Sequence, residues 1–322
     1  MPSSPLYPLY TQGQLHPQSE SILRQIEQSH TAPMASLTPQ QARDSFADPA
    51  WLGTPVAEVD MQERIIPGPA GDLPVRIYTP PGRQPFPVLV YFHGGGFVTG
   101  TLQNYHAFCT FLASGASCIV VSVGYRLAPE HKHPAAVEDA LVALQWAAAN
   151  AHTFQGDPFR LAVAGDSAGA NLAAVCAITA RDQGFPALTF QALICPWLDS
   201  TEFNSKSYHY FGNGLWLSTA SMIWYRDHYL QSPEQAFSRQ VSPLLVEDLS
   251  DLPPALVITA EFDVLRDEGE TFADRLQLAG TPVQCIRYDG MLHDFVTLPG
   301  AFPRAYDAIA EICASLKRAL QV

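Results

Sequence analysis

The stretch that decides the fold is residues 160–181, RLAVAGDSAGANLAAVCAITAR. Arg160–Ala164 is a short apolar run typical of a buried strand, and Ala168–Arg181 is alanine-rich and long enough for a helix. Between them, Gly165-Asp166-Ser167-Ala168-Gly169 fits the Gly-x-Ser-x-Gly pattern of a sharp strand-to-helix turn. We expect a Cβ at either glycine to clash in such a turn. The turn is also expected to expose the serine hydroxyl to solvent. The amide that follows lies at a helix N-terminus and favours a negative oxygen, so the stretch predicts a nucleophile, Ser167.

Apolar runs and helix-length segments also alternate on both sides of this stretch. The other runs are Pro87–Phe92, Cys118–Val123, Phe190–Cys195, Ala255–Ala260 and Val283–Tyr288, and the other helical segments are Tyr105–Ala113, Ala135–Ala149, Arg266–Leu278 and Ala305–Leu320. Unbroken apolar runs suit strands that are buried on both faces. The alternation therefore predicts an α/β fold with a mostly parallel central sheet and helices on both faces.

Residues 1–55 precede the main strand signals and are expected to form an appended element. The polar, proline-rich residues 1–17 predict a disordered start. The pattern of residues 19–30 predicts a helix with a serine N-cap, and Thr38-Pro39 is expected to open a second helix. Strand signals begin near Val56, so we place the catalytic domain at residues 56–322.

One interval, about residues 200–230, breaks the alternation and is rich in aromatic residues. It holds eight of them, about a quarter of its length, against 11% in the whole chain. We interpret it as an insertion above the sheet. The aromatic residues predicted to line an apolar ligand pocket are Phe203, Tyr208, Phe211 and Trp216. The alternative is that these side chains only pack the insertion onto the body of the protein.

A second glycine-rich motif, His93-Gly94-Gly95-Gly96, directly follows the run Pro87–Phe92. Successive glycines allow bare backbone amides to face a bound oxyanion. A phosphate-binding loop is the weaker interpretation, because the chain has no G-x-x-x-x-G-K-[ST] pattern. We expect His93 to shape the loop rather than to transfer protons.

A serine hydroxyl is a weak nucleophile and needs a base that is oriented by a carboxylate. In this class of sheet the chain order is nucleophile, acid, base. Glu261, Asp263 and Asp267 follow the run Ala255–Ala260 and are the candidate acids. His293 follows the last run and is the only histidine after His228, which makes it the candidate base. Asp294 adjoins this base and would have to fold back on its neighbour's ring, which is a poor geometry for reaching Nδ1. Both positions lie past the carboxyl ends of strands, where open α/β sheets place their sites.

Composition and charge exclude several other functions. Only 15% of residues are charged and 47% are hydrophobic, which is typical of a globular chain with a large core. The formal net charge of −13 argues against binding to nucleic acid or to anionic membranes. The sequence predicts neither a spanning helix nor a signal peptide. The six cysteines and ten histidines lack metal-ligand spacing, so we expect free thiols in a reducing compartment, no metal and a cytoplasmic location.

Taken together, the motifs resemble those of the hormone-sensitive-lipase-like (family IV) carboxylesterases of the α/β-hydrolase superfamily. The resemblance extends from about Val59 to the C-terminus. It rests on HGGG at 93–96, YRLAPE at 125–130, GDSAGAN at 165–171, DVLRDE at 263–268 and GMLHDF at 290–295. The sequence departs from the family at Val264, where proline is commoner, and at Ala170, where glycine is usual. Neither departure removes a reactive group.

The resemblance implies an α/β-hydrolase fold with a helical cap, built from the N-terminus and the insertion. It also implies a catalytic triad and an oxyanion hole formed by three backbone amides. The implied triad is Ser167, Asp263 and His293, and the implied oxyanion donors are Gly94, Gly95 and Ala168. Relatives often dimerise through a sheet edge, so a homodimer is expected here as well.

The predicted reaction is hydrolysis of a short- to medium-chain ester through an acyl-enzyme, without a cofactor. The expected partner is a small-molecule ester rather than nucleic acid, and no membrane anchor is expected. An amidase or formamidase would use the same triad and stays open at this point. A hormone receptor that has lost the base is disfavoured because His293 is present. The acidic charge and short N-terminal region also disfavour a lipase of lipid droplets.

Overall fold

The computed structural model describes residues 14–30, 32–46 and 49–322, and one eight-stranded sheet forms its centre. The strands are β1 (Asp60–Gly68), β2 (Gly71–Thr79), β3 (Phe86–Phe92), β4 (Ile119–Val123), β5 (Gly156–Asp166), β6 (Phe190–Ile194), β7 (Ala255–Phe262) and β8 (Val283–Leu292). Their order across the sheet is β1-β2-β4-β3-β5-β6-β7-β8. β2 is antiparallel to both of its neighbours, and all other pairs are parallel. The predicted mostly parallel sheet is confirmed.

Helices cover both faces of this sheet. They are α1 (Pro17–Ser29), α2 (Pro39–Asp44), α3 (His106–Ala116), α4 (Ala135–Asn150), α5 (Ala168–Gln183), α6 (Lys206–Phe211), α7 (Thr219–Tyr229), α8 (Arg266–Leu278) and α9 (Ala305–Leu320). α3 packs on α9, and α4 packs on α5. Every residue of β3, β4 and β6 is buried. Strands covered on both faces cannot alternate apolar and polar residues, which explains their unbroken apolar sequences.

The sheet topology determines where a site can form. From β3 the chain turns first to β4 on one side and later to β5 on the other, so the strand order reverses between β3 and β5. Ligands of open α/β sheets bind beyond the carboxyl ends of the strands at such a switch point. The loop 93–96 follows β3 and Ser167 follows β5, which brings both motifs to this crevice.

The N-terminal helices and the insertion contact each other above the sheet. The indole Nε1 of Trp224 in α7 donates a hydrogen bond to the carbonyl oxygen of Leu37 at 3.1 Å. The rings of Trp51 and Trp216 lie with their centroids 5.6 Å apart. These contacts support a cap made from both regions, whereas the domain boundary at residues 55 and 56 stays a prediction.

The start of the chain differs in part from the prediction. Residues 1–13 of the expected disordered start lie outside the described residues. The first helix begins at Pro17 rather than at residue 19, and its N-cap is His16 rather than a serine. The His16 amide also donates to the Gly290 carbonyl at 3.0 Å. Proline at the first helical position has a suitable fixed φ, which explains the earlier start.

Candidate active site

Ser167 lies at the turn between β5 and α5 in a strained backbone conformation, with φ 53° and ψ −118°. A Cβ on Gly169 would lie 2.0 Å from the carbonyl oxygen of Phe92, and a Cβ on Gly165 would lie 2.3 Å from the Gly169 backbone. Both glycines are therefore required by close backbone approach, as predicted. The expectation of a solvent-exposed serine is wrong, since Ser167 is only 6% exposed. Neighbouring groups, including His293, cover it.

The three predicted reactive side chains meet in one buried chain of contacts. His293 Nε2 lies 3.1 Å from Ser167 Oγ, and His293 Nδ1 lies 2.7 Å from Asp263 Oδ2. The second oxygen of Asp263 accepts a hydrogen bond from the Leu265 amide at 3.0 Å, which fixes the carboxylate. This is the geometry of a nucleophile, a base and an orienting acid.

The rival carboxylates have other partners. Glu261 Oε2 accepts from the Gly290 amide at 2.7 Å, and Asp267 Oδ2 accepts from the Ser207 amide at 2.8 Å. Both therefore link neighbouring segments and do not contact the Nδ1 atom of His293. Asp294 reaches the opposite side of the ring, with Oδ2 at 3.1 Å from His293 Nε2. The structure thus places Asp294 away from Nδ1, the nitrogen that an orienting acid must reach, and gives it a contact that was not predicted from the sequence.

Burial and two carboxylates act in opposite directions on the pKa of His293. Burial alone lowers the pKa of His293, but the charges and hydrogen bonds of Asp263 and Asp294 outweigh burial and hold this pKa well above its usual range. Burial also raises the pKa of Asp294, and His293 opposes that shift. Both carboxylates therefore favour the protonated form of the His293 ring, against the effect of burial.

The oxyanion prediction needs one correction. The Gly94 amide already donates to Asp166 Oδ1 at 3.0 Å and to Tyr105 Oη at 3.1 Å, so it is not free for a ligand. Within the part of the chain that the structure describes, the amides of Gly95, Gly96 and Ala168 have no hydrogen-bond acceptor. The error arose because the sequence gives no direction for an amide. The sequence signal for Gly96 was its place as the third glycine of the motif His93-Gly94-Gly95-Gly96.

Asp166 and His93 hold the glycine loop in place. The buried carboxylate of Asp166 accepts hydrogen bonds from the hydroxyls of Tyr91 and Tyr105 as well as from the Gly94 amide. The His93 ring stacks on Tyr125 with a centroid separation of 4.3 Å. Burial lowers the pKa of His93 to about 4, so this ring is neutral near pH 7 and serves to support the loop.

The four aromatic residues predicted to line a pocket lie in the cap region and pack on protein groups. Tyr208 and Phe211 are buried, and the Phe211 ring lies 5.2 Å from that of Phe262. Phe203 lies beneath the guanidinium of Arg226 at 5.1 Å, and Trp216 packs on Trp51. These contacts show a packing role for each residue, and their contact with a ligand stays a prediction.

Over the described ranges, one group of side chains has a metal-ligand composition: Cys195, His293 and Asp294, whose donor atoms lie within 4.8 Å of one another. Burial, followed by the nearby charges of Asp263 and Asp294, raises the pKa of the Cys195 thiol well above its usual range. The Nε2 atom of His293 in this group already contacts Ser167 Oγ at 3.1 Å, so the group overlaps the three predicted reactive side chains.

Comparison with known proteins shows that this chain is similar to ester hydrolases. A family model described as alpha/beta hydrolase fold matches residues 89–297. Carboxylic ester hydrolase LipN of Mycobacterium tuberculosis is 45% identical over 251 residues, which cover 76% of this chain and 66% of LipN. Ethyl acetate hydrolase of Pseudomonas putida is 33% identical over 319 residues, covering 95% and 99% of the two chains. The solved structure of a thermostable esterase from Pseudomonas putida ECU1011 superposes with a TM-score of 0.92 at 35% identity, covering 97% and 99%.

Proposed function

Since this chain belongs to the hormone-sensitive-lipase-like carboxylesterases of the α/β-hydrolase superfamily, we propose that Ser167, His293 and Asp263 carry out its hydrolysis of acyl esters. The observation that supports this assignment is the continuous contact from Ser167 Oγ through the His293 ring to Asp263. Alternatives for the acid are weaker, because Glu261 and Asp267 are engaged elsewhere.

The reaction follows from this arrangement. The neutral His293 ring takes the proton of Ser167 through Nε2 while Oγ attacks the ester carbonyl, and Asp263 holds the Nδ1 proton so that Nε2 is the free nitrogen. Collapse of the tetrahedral intermediate breaks the bond to the alkoxy group, which leaves with the proton from His293. A water molecule then attacks the acyl-enzyme in the same way, releasing the carboxylic acid and restoring Ser167.

The amides of Gly95, Gly96 and Ala168 are the proposed oxyanion donors. Ala168 opens α5, where the unpaired helix N–H groups and the helix dipole favour a negative oxygen. Gly95 and Gly96 have φ values of 107° and 60°, a region that glycine adopts readily. One oxyanion donor is typically worth about 3 kcal/mol of transition-state stabilisation.

The proposed substrates are small-molecule esters with short to medium acyl chains. The name of the Pseudomonas putida relative, ethyl acetate hydrolase, supports a small acyl group, as does the limited exposure of Ser167. In the described residues no helix is long and apolar enough to cross a bilayer. All six cysteines are free, which supports a reducing, cytoplasmic location. A homodimer through a sheet edge is also proposed.

The test is the Ser167→Ala variant in a chain-length series of p-nitrophenyl esters. Loss of the nucleophile should lower kcat by more than about a thousandfold, with the melting temperature nearly unchanged. An organophosphate should label the peptide that contains Ser167 in the parent protein only. A folded variant that retains more than about a thousandth of the parent rate would show that another residue is the nucleophile. A parallel assay of matched ester and amide substrates measures the preference between the two leaving groups.

A further inference from the structure

His293 has a carboxylate on each of its two ring nitrogens. Asp263 Oδ2 lies 2.7 Å from Nδ1, and Asp294 Oδ2 lies 3.1 Å from Nε2. Ser167 Oγ lies at the same distance, 3.1 Å, from Nε2. An ionised carboxylate only accepts hydrogen bonds, so its contact with Nε2 is favourable only when a proton lies between the two atoms. A base that is ready to accept the Ser167 proton must lack that proton.

We propose that Asp294 is a positioning residue that holds a proton on the Nε2 side of His293 in the substrate-free enzyme and thereby determines the pH above which the hydrolase becomes active. The inference rests on the proposed role of His293 as the base. The proton is carried by Nε2 of the imidazole ring, giving an imidazolium. It must leave before Nε2 can accept the proton of Ser167.

The backbone around Asp294 presents its side chain to the ring. Asp294 has φ 53°, a left-handed conformation that aspartate tolerates, and it precedes the short helical turn Phe295–Thr297. Its carbonyl oxygen accepts from the Thr297 amide at 3.1 Å and from the Thr297 hydroxyl at 3.0 Å. The turn is therefore held through the carbonyl oxygen of Asp294 and not through its carboxylate. The side chain contacts His293 through Oδ2, while its buried Oδ1 has no hydrogen-bond partner among the described residues. Asp294 occupies the N-cap position of the turn Phe295–Thr297, but its carboxylate makes no capping hydrogen bond there.

Several elements contribute acidic groups around His293 and Asp294. They are Asp263 after β7, Asp294 after β8, Asp166 at the end of β5, the Cys195 thiol after β6, and the more distant hydroxyls of Tyr105 and Tyr225, which interact electrostatically with Asp294. Burial raises the pKa of Asp166, and the charge of Asp294 raises it further. Burial and neighbouring carboxylates also keep the Cys195 thiol protonated. This cluster retains one proton more readily than an isolated Asp–His pair does.

The sign of the effect follows from the charge of Asp294. The carboxylate stabilises the imidazolium and so raises the pKa of His293. The pH must exceed this pKa before His293 can act as a base. Removing the charge lowers that pKa, and activity should then appear at lower pH. A single carboxylate in contact with a titrating group typically shifts its pKa by about 1 unit or more.

The experiment compares profiles of kcat/KM against pH for the parent, Asp294→Asn, Asp294→Glu and Asp289→Asn, with p-nitrophenyl butyrate from about pH 5 to about pH 9. Asp289→Asn is the matched control, because it removes the same charge from an exposed position on β8. We expect the acid limb to move down by about one pH unit in Asp294→Asn. It should move little in Asp294→Glu and Asp289→Asn. An unchanged limb in a folded Asp294→Asn variant would overturn the proposal.

A second measurement does not depend on activity or on folding of the Asp294 variants. In the Ser167→Ala protein, NMR titration of His293 should give a pKa above the ordinary value of about 6.5, with proton signals from both ring nitrogens near neutral pH. A pKa at or below that value, with a proton on Nδ1 alone, would contradict the proposal that Asp294 holds a proton on the Nε2 side of His293. Failure of the proposed function is distinguishable, since it requires Ser167→Ala itself to remain active.

Discussion

Replacing Asp263 with asparagine should inactivate the enzyme without disturbing its fold. In the parent, Asp263 Oδ2 accepts the Nδ1 proton of His293 at 2.7 Å, and Oδ1 accepts the Leu265 amide at 3.0 Å. The carbonyl oxygen of the asparagine can keep the Leu265 contact, which turns its NH₂ group toward Nδ1. Nδ1 must then accept rather than donate, so the ring proton moves to Nε2, the nitrogen that faces Ser167.

The magnitude follows from this change of tautomer. A base that carries its proton on the wrong nitrogen typically loses on the order of 10⁴ in kcat. At about 1.4 kcal/mol for each factor of ten, that loss is about 5.5 kcal/mol of transition-state stabilisation. The effect on stability should be far smaller, since asparagine has nearly the same volume and retains the contact to the Leu265 amide.

The assay measures kcat with p-nitrophenyl butyrate and the melting temperature for Asp263→Asn, Glu261→Gln and Asp267→Asn. The glutamine can still accept from the Gly290 amide and the asparagine at 267 from the Ser207 amide, so each control should retain most of the parent kcat. The reasoning is refuted if Glu261→Gln lowers kcat as much as Asp263→Asn while both variants melt cooperatively at similar temperatures. In that case the acid is misassigned or its role is shared.

Two further predictions concern the nucleophile turn and the cap. Gly169→Ala should lower the free energy of unfolding by about 3 kcal/mol or prevent folding, because the new Cβ would lie 2.0 Å from a backbone oxygen. Urea denaturation measures the change in stability. A cooperative transition at the midpoint of the parent would contradict the prediction. Alanine substitutions at Phe203, Tyr208, Phe211 and Trp216 should change relative kcat/KM across acyl-chain lengths by ~1–3 kcal/mol wherever the side chain contacts substrate. If all four leave the profile unchanged and only lower the melting temperature, these residues serve packing alone.

The sequence by itself determined the fold class, and it predicted the nucleophile and the base. Unbroken apolar runs occur because buried parallel strands have no solvent-facing side, so β3, β4 and β6 could be located within a residue or two. The Gly-x-Ser-x-Gly turn could also be predicted, since its glycines are required where an added Cβ would lie as close as 2.0 Å to a backbone atom. These features are local, and local sequence carries them.

Only the tertiary structure decided how groups distant in the sequence meet. The Gly94 amide donates a hydrogen bond to Asp166, 72 residues away in the chain, and is therefore not free for an oxyanion. The Gly96 amide has no such acceptor among the described residues. Asp294 has a left-handed backbone and its carboxylate lies against Nε2, and the sequence predicted neither feature. The direction of an amide or a carboxylate depends on backbone dihedral angles and on the partners that packing supplies. Neither is encoded in residue type and spacing alone.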